Sequence, residues 1–354
     1  MKMTEAAELV VRAGRRLVES GLVARTWGNV SCRLDDVSFA ITPSGRDYMS
    51  LSHEDIIRVK TSDCSYTGDI KPSSEKGIHA AAYRLRPDIS FVIHTHQVNA
   101  SAVSASAVES MDGEVPCAAY ALPGTKKLLK NVSYEIARSG GNTVIMKNHG
   151  VLCLGRDYEE AFSAASWLEA ACMSFIIRQY MKISGNTDFD EKQLLSYSVS
   201  RLGGGCVEGI PEAVPMPVEA SLYGAIYGSR NGTNCIISAV DPYIAAASCR
   251  EGEIRPMLDD FAQIVGTNMK IVDNDPGQIK NALRHSSAVL IRKRGALCCG
   301  ATKADAAAVA MIVEKNCRAV LTAALFGEVK PLNPLECILM RQVYLKKYSK
   351  LQPS

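Results

Sequence analysis

The sequence predicts an α/β fold: an α/β/α sandwich on a central mixed sheet, built twice in tandem with a shortened second copy. Three observations carry this. Strand-like and helix-like runs intermix without a regular βαβ period, which argues against a doubly wound parallel sheet. One pattern recurs at nearly constant spacing. Tyr83, Arg86, Ile93, Ala102 and Ser104 fall on Tyr227, Arg230, Ile237, Ala246 and Ser248 at an offset of 144 residues. Val144, Gly150, Leu152, Cys153, Gly155 and Ala161 fall on Val289, Gly295, Leu297, Cys298, Gly300 and Ala306 at an offset of 145. Finally, 354 residues with 47% hydrophobic and 22% charged side chains are enough for two ordinary globular domains.

Taken in order, Thr4 is placed to cap a helix whose apolar positions Ala7, Leu9, Val10, Ala13, Leu17 and Val18 recur at helical spacing, with Gly21 as its stop. Short β-like runs follow at 29–33 and 38–42, then the turn Pro43-Ser44-Gly45, a helix start near Ser52 and a strand at 56–60. Residues 74–85 read as a helix ended by Arg86-Pro87-Asp88. Residues 89–94 and 143–146 are buried-type strands, and the second leads through Asn148-His149-Gly150 into a strand at 151–154. A long helix runs over 158–181. The stretch 183–217, rich in Gly, Ser, Pro and acid, is the linker candidate, with domains expected at 1–200 and 201–354. Little before Pro217 matches residues 22–72, so the second copy has lost its front end.

Forty Lys and Arg against 37 Asp and Glu leave a net charge of +3 with no dense basic block, so nucleic acid is not an expected partner. The longest apolar candidate, 161–177, is interrupted by Glu169, so no membrane partner is expected either. The first twenty residues carry the charge mix of a helix rather than a signal peptide. Twelve cysteines without a single CxxC read as small core residues of a cytoplasmic protein, not as a cysteine zinc site.

His94 and His96 flank Thr95 at a strand end, where alternation puts both imidazoles on one face. His149, just past the next apolar strand, could join them, and three neutral imidazoles make a catalytic zinc site with an open position. The same residues also read as a hydrogen-bonded strand-end pair and a turn histidine. Glu75 opens a helix, either as an acid/base beside the metal or as a plain first-turn acid. Ser73 and Ser74 offer hydroxyls and amides at that helix start, an anion site. Thr26-Trp27-Gly28-Asn29 and Thr42-Pro43-Ser44-Gly45 are further turns of small donors. Only convergence of the three would make a phosphate pocket.

The ordered set GNVS (Gly28 to Ser31), ITPSG (Ile41 to Gly45), PSSE (Pro72 to Glu75), HTH (His94 to His96) and NHG (Asn148 to Gly150) resembles the class II aldolase/adducin family over about residues 5–185. The resemblance implies one Zn²⁺ per chain, in the N-terminal copy only, on His94, His96 and His149, with Glu75 as acid/base. It implies a small ketose phosphate held by Gly28, Asn29, Thr42, Ser44, Gly45, Ser73 and Ser74. The activity implied is a zinc-dependent aldolase that releases dihydroxyacetone phosphate and an aldehyde through a metal-stabilised enediolate. Glu rather than Asp at the base position favours this over a sugar-phosphate 4-epimerase. A methylthioribulose-phosphate-type dehydratase, a phospho-sugar-acid decarboxylase and a non-catalytic assembly protein of adducin type are the alternatives. At the offsets above, the three histidines fall on Ser238, Val240 and Arg294, and Glu219 matches Glu75 behind Pro217 and Val218, so the second copy is expected to be metal-free. The family's four-membered rings imply a homo-oligomer, a dimer forming a four-lobed ring or something larger.

Overall fold

In the computed structural model, residues 1–23, 27–204, 220–230 and 232–347 are described. The chain divides into two units, Met1–Ser104 with Val108–Ser174, and the remainder from Phe175 onward with Ala105–Ala107. The first unit runs α1 (Met3–Glu19), β1 (Asn29–Asp35), β2 (Ser38–Ile41), β3 (Ile57–Lys60), α2 (Lys76–Leu85), β4 (Phe91–Thr95), α3 (Val98–Ser104), β5 (Ser110–Met111), β6 (Val115–Ala118), α4 (Lys126–Ser139), β7 (Thr143–Met146) and β8 (Gly150–Gly155). α5 (Tyr158–Ser184) follows.

The eight strands form one sheet in the order β3-β2-β1-β4-β8-β7-β6-β5. It is mixed: β6 and β7 are parallel, the other neighbours antiparallel. Side chains of one parity, Phe39, Val59, Val92, Val144, Met146, Leu152 and Leu154, bury against Ile78 and Ala82 of α2 and Leu128, Val132 and Ile136 of α4. The opposite parity, including Val30, Ile93, Ile145 and Cys153, is equally buried, and α1 and α3 pack on the sheet from β1, β2, β7 and β8. A sheet apolar on both faces needs helices on both, which is the layered arrangement the sequence predicts.

Several details depart from the expectations. Thr4 lies inside α1 rather than capping it, because the helix starts at Met3 with Lys2 as its uncapped N-cap. The helix start near Ser52 is only a 3₁₀ turn, His53–Asp55, held by reciprocal bonds between Ser52 and Asp55. α4 was not anticipated; the Thr125 hydroxyl accepts the Leu128 N–H at its start, and Gly140 closes it in a left-handed conformation. The linker stretch is also partly ordered: α6 (Glu191–Arg201) occupies it, with the Asp190 carboxylate accepting from Lys192 and Gln193. Residues 205–217 lie outside the described residues.

The second unit continues with α7 (Ala220–Ser229), β9 (Cys235–Ala239), α8 (Pro242–Ala247), β10 (Glu253–Ile254), α9 (Asp259–Ile264), β11 (Met269–Val272), α10 (Pro276–Ala282), β12 (Ala288–Ile291), β13 (Gly295–Gly300), α11 (Lys303–Ala323) and α12 (Pro334–Lys347). Its sheet order, β10-β11-β12-β13-β9, repeats β5-β6-β7-β8-β4, with no counterparts of β1 to β3 among the described residues. Even the register repeats. His94 faces Leu152 as Ser238 faces Leu297. The Ser104 hydroxyl donates to Ser101 O as Ser248 does to Ala245 O, each at 2.7 Å. Asn148 and Lys293 share a left-handed φ of 57° and 56°, and each donates its N–H to the serine carbonyl, Ser104 and Ser248. The backbone bonds and the serine hydroxyl bond persist while the residue facing the neighbouring strand changes from His94 to Ser238, the mark of a duplicated fold. Among the described residues no helix is long and apolar enough to cross a membrane.

The turn before β8 sets a stability prediction. A Cβ added at Gly150 would lie 2.4 Å from the Thr95 carbonyl oxygen. Gly150→Ala is therefore expected to cost about 1–3 kcal/mol, as overpacking does, read as a lower thermal midpoint. An unchanged midpoint would contradict the close β4–β8 approach.

Candidate metal centre and active site

Pairing of β1 with β4 sets Asn29 opposite His94, so His94 is buried at the end of a central strand. Its Nδ1–H donates to the Val151 carbonyl at 2.8 Å. A neutral imidazole carries one N–H, which leaves His94 Nε2 as a bare acceptor. Nε2 of His96 lies 3.0 Å from it. His149 enters from the β7–β8 turn, where Asn148 supplies the left-handed φ that asparagine tolerates better than most residues. Ring centroids stand 4.7, 5.0 and 4.9 Å apart, and one nitrogen from each ring lies within 4.8 Å of the other two.

Glu75 stands at the N-cap of α2 but caps nothing. Its side chain turns inward instead. Oε2 accepts the Asn29 amide at 3.0 Å and lies 3.2 Å from His94 Nε2, while Oε1 lies 3.0 Å from His149 Nε2. Burial alone would raise the Glu75 carboxyl, but the imidazoles of His94 and His149 and the Asn29 amide outweigh it and hold the group well below the usual carboxylate range. Burial drives His94 well below the usual imidazole value, against the pull of Glu75. A bare imidazole nitrogen thus faces an ionised carboxylate and a second imidazole nitrogen. Converging lone pairs with so few protons between them suit a divalent cation, and three imidazoles are a zinc-type donor set.

The turns singled out in the sequence meet beside this centre. The Thr42 hydroxyl accepts the Val30 N–H, and the Thr42 N–H returns to the Val30 carbonyl. Ser73 N–H donates to Thr42 O and Ser44 N–H to Lys71 O, with Pro43 and Pro72 bridged between them. The Ser73 hydroxyl accepts the N–H of Glu75 at 3.2 Å. Asn29, Thr42 and Ser73 are buried, Ser44 and Gly45 half-buried, and Ser74 exposed. Gly28 sits against β4, where a Cβ would fall 2.4 Å from the His94 carbonyl oxygen. Thr26 lies outside the described residues.

His79, which belongs to none of the sequence motifs, joins the same cluster. It is fully buried, bonded through Nδ1 to the Ser31 hydroxyl at 2.6 Å and through Nε2 to Asn29 Oδ1. Two spacings signal it: Glu75 and His79 at i, i+4 along the start of α2, and Asn29 and Ser31 at i, i+2 on β1.

Comparison with known proteins finds several relatives of this chain. Relatives include the 3-oxo-tetronate 4-phosphate decarboxylase of Haemophilus influenzae, 30% identical over 208 residues that make up 54% of this chain and 98% of that protein. Another is the 5-methylthioribulose-1-phosphate/5-deoxyribulose-1-phosphate aldolase of Escherichia coli, 33% identical over 187 residues, 50% of this chain and 85% of that protein. A solved L-fuculose 1-phosphate aldolase is 26% identical with a TM-score of 0.46, covering 53% of this chain and 92% of its own. The family described as Class II Aldolase and Adducin N-terminal domain matches over residues 8–176 and 186–321. With both segments matched, the chain belongs to that family.

Proposed function

We propose that the chain is a cytoplasmic, zinc-dependent aldolase of small ketose phosphates that releases dihydroxyacetone phosphate and an aldehyde. Residues 1–200 form its catalytic domain and residues 201–354 a metal-free, aldolase-like domain. The observation that carries this reading is the meeting of three imidazoles with the inward-turned Glu75 carboxylate. His94, His96 and His149 would hold the ion, one per chain. Bound there, Zn²⁺ supplies Lewis-acid polarisation of a carbonyl and stabilises the negative charge left by carbon–carbon cleavage.

The remaining chemistry belongs to the chain. Glu75, ionised and fixed by Asn29, exchanges a proton with the substrate through a carboxylate oxygen. Gly28, Asn29, Thr42, Ser44, Gly45, Ser73 and Ser74 bring hydroxyls, amides and the start of α2 to one place, a setting for phosphate. Ser44→Ala is expected to raise KM for a phosphorylated ketose about tenfold, the worth of one bond to a charged group, with kcat little changed. Equal KM values would remove Ser44 from the phosphate site.

The test of the reading is a screen of ketose 1-phosphates with zinc-loaded protein, scored by dihydroxyacetone phosphate release. No release from any of them would sink the aldolase. The decarboxylase among the relatives motivates a second reading, because loss of CO₂ beside a carbonyl leaves the same kind of electron-rich carbon. Release of CO₂ from a phosphorylated 3-oxo acid, without triose phosphate, would favour it. We carry the homo-oligomer as part of the proposal; light scattering on the eluting protein tests it, and a monomer ends it.

A further inference from the structure

The strand face and the helix stripe behind Glu75 form one continuous hydrogen-bonded line. Asn29 and Ser31 share a face of β1, while Glu75, His79 and Tyr83 follow one another at i, i+4 and i+8. All five are buried. Tyr83 Oη lies 2.7 Å from Ser31 Oγ, and Ser31 Oγ lies 2.6 Å from His79 Nδ1. His79 Nε2 meets Asn29 Oδ1, and Asn29 Nδ2 lies 3.0 Å from Glu75 Oε2.

The Asn29 amide sets every direction in this line. Its Nδ2–H donates to Glu75 Oε2 and its Oδ1, which can only accept, faces His79 Nε2. His79 must then carry its proton on Nε2. Burial pushes the His79 imidazole down to about 4, against the pull of Glu75, so the ring is neutral and Nδ1 is a bare acceptor. The Ser31 hydroxyl therefore donates to Nδ1 and accepts from Tyr83. Burial also raises the Tyr83 phenol well above its ordinary value, although the Ser31 bond works the other way, which keeps that terminal donor protonated. All the donors point the same way, toward the carboxylate, an arrangement in which hydrogen bonds polarise one another.

We propose that His79 is a positioning residue for Glu75: as the Nε2–H tautomer it fixes the Asn29 amide in the orientation that presents Nδ2–H to the carboxylate. The opposite tautomer would present a bare nitrogen to Asn29, turn the amide over and set its oxygen against Glu75 Oε2. The second copy is consistent with this role. Among the described residues it shows no counterpart of the strand that carries Asn29 and Ser31, and at the 144-residue offset His79 becomes Tyr223 while Tyr83 is kept as Tyr227. The histidine is present where it has an asparagine to orient. The role rests on the reading of Glu75 as the proton carrier.

The test has two arms, both on the full-length zinc-loaded chain. Long-range ¹H–¹⁵N correlation of histidine-labelled protein, with His79 assigned by its loss in His79→Gln, is expected to show a protonated Nε2 and a bare Nδ1 at neutral pH. An Nδ1–H tautomer or an imidazolium overturns the proposal. In the kinetic arm, His79→Leu is expected to lower kcat on the order of 10²-fold, as misplacement of a catalytic group does, with KM held within about twofold. His79→Gln keeps a donor for Asn29 and is expected to stay within about fivefold of the parent, the worth of one neutral hydrogen bond. Unchanged turnover in His79→Leu, or equal losses in the two variants, overturns the proposal. If the parent protein cleaves no ketose phosphate, the aldolase reading fails, and the tautomer measurement still decides the orienting role.

Discussion

Glu75→Gln is expected to lower kcat by about 10²–10⁴-fold, the range supplied by a positioned general acid or base, with the fold and the bound zinc retained. Glutamine matches the volume of the glutamate, and its carbonyl oxygen can still accept the Asn29 amide now bonded to Oε2. What it lacks is a site that takes up and returns a proton. Three rings remain for the ion, so zinc content by elemental analysis should stay at one per chain. Full turnover in the variant would reduce Glu75 to a structural acid. Loss of zinc together with activity would make it a ligand, since its oxygens lie 3.0 and 3.2 Å from two of the imidazoles.

Features carried by local pattern were legible in the sequence. The apolar runs of β4, β7 and β8 lie within a residue or two of their expected bounds because central strands buried on both faces must be almost wholly apolar. The duplication was legible because close backbone approaches, such as Gly150 on Thr95 and Gly295 on Ala239, keep glycine wherever the fold recurs. The pairing of β1 with β4 was not. It joins segments about sixty residues apart, and no periodicity reports which distant strand a half-apolar run will choose. That pairing makes the site, since it puts Asn29 between Glu75 and His79. For the same reason the two readings of Glu75 could not be separated in sequence: a first-turn acid looks the same whether its carboxylate turns to the helix or to a neighbouring strand. His79 escaped because a buried histidine on an apolar helix face is indistinguishable from packing until its partners on another element are known.

His94→Ala is expected to abolish stoichiometric zinc binding. Losing even a residue that merely orients a ligand weakens metal sites by about 10–100-fold, and His94 is proposed as a ligand itself. Its ring is pinned from behind by the Val151 carbonyl and flanked in front by both His96 and Glu75. Two measurements should move together. Elemental analysis should fall from one zinc per chain toward none. The thermal stabilisation on adding zinc, worth about 2.7 kcal/mol at a hundredfold excess over Kd, should disappear. Ser238→Ala, the corresponding change in the second unit, should alter neither, because Val240 and Arg294 offer that turn no imidazole. The chelator-treated parent should match His94→Ala in lacking activity yet recover when zinc is restored, which separates a missing ligand from a damaged fold. Stoichiometric zinc in His94→Ala would mean that the ion is held elsewhere, and the convergence of the three rings would then have to be explained by packing alone.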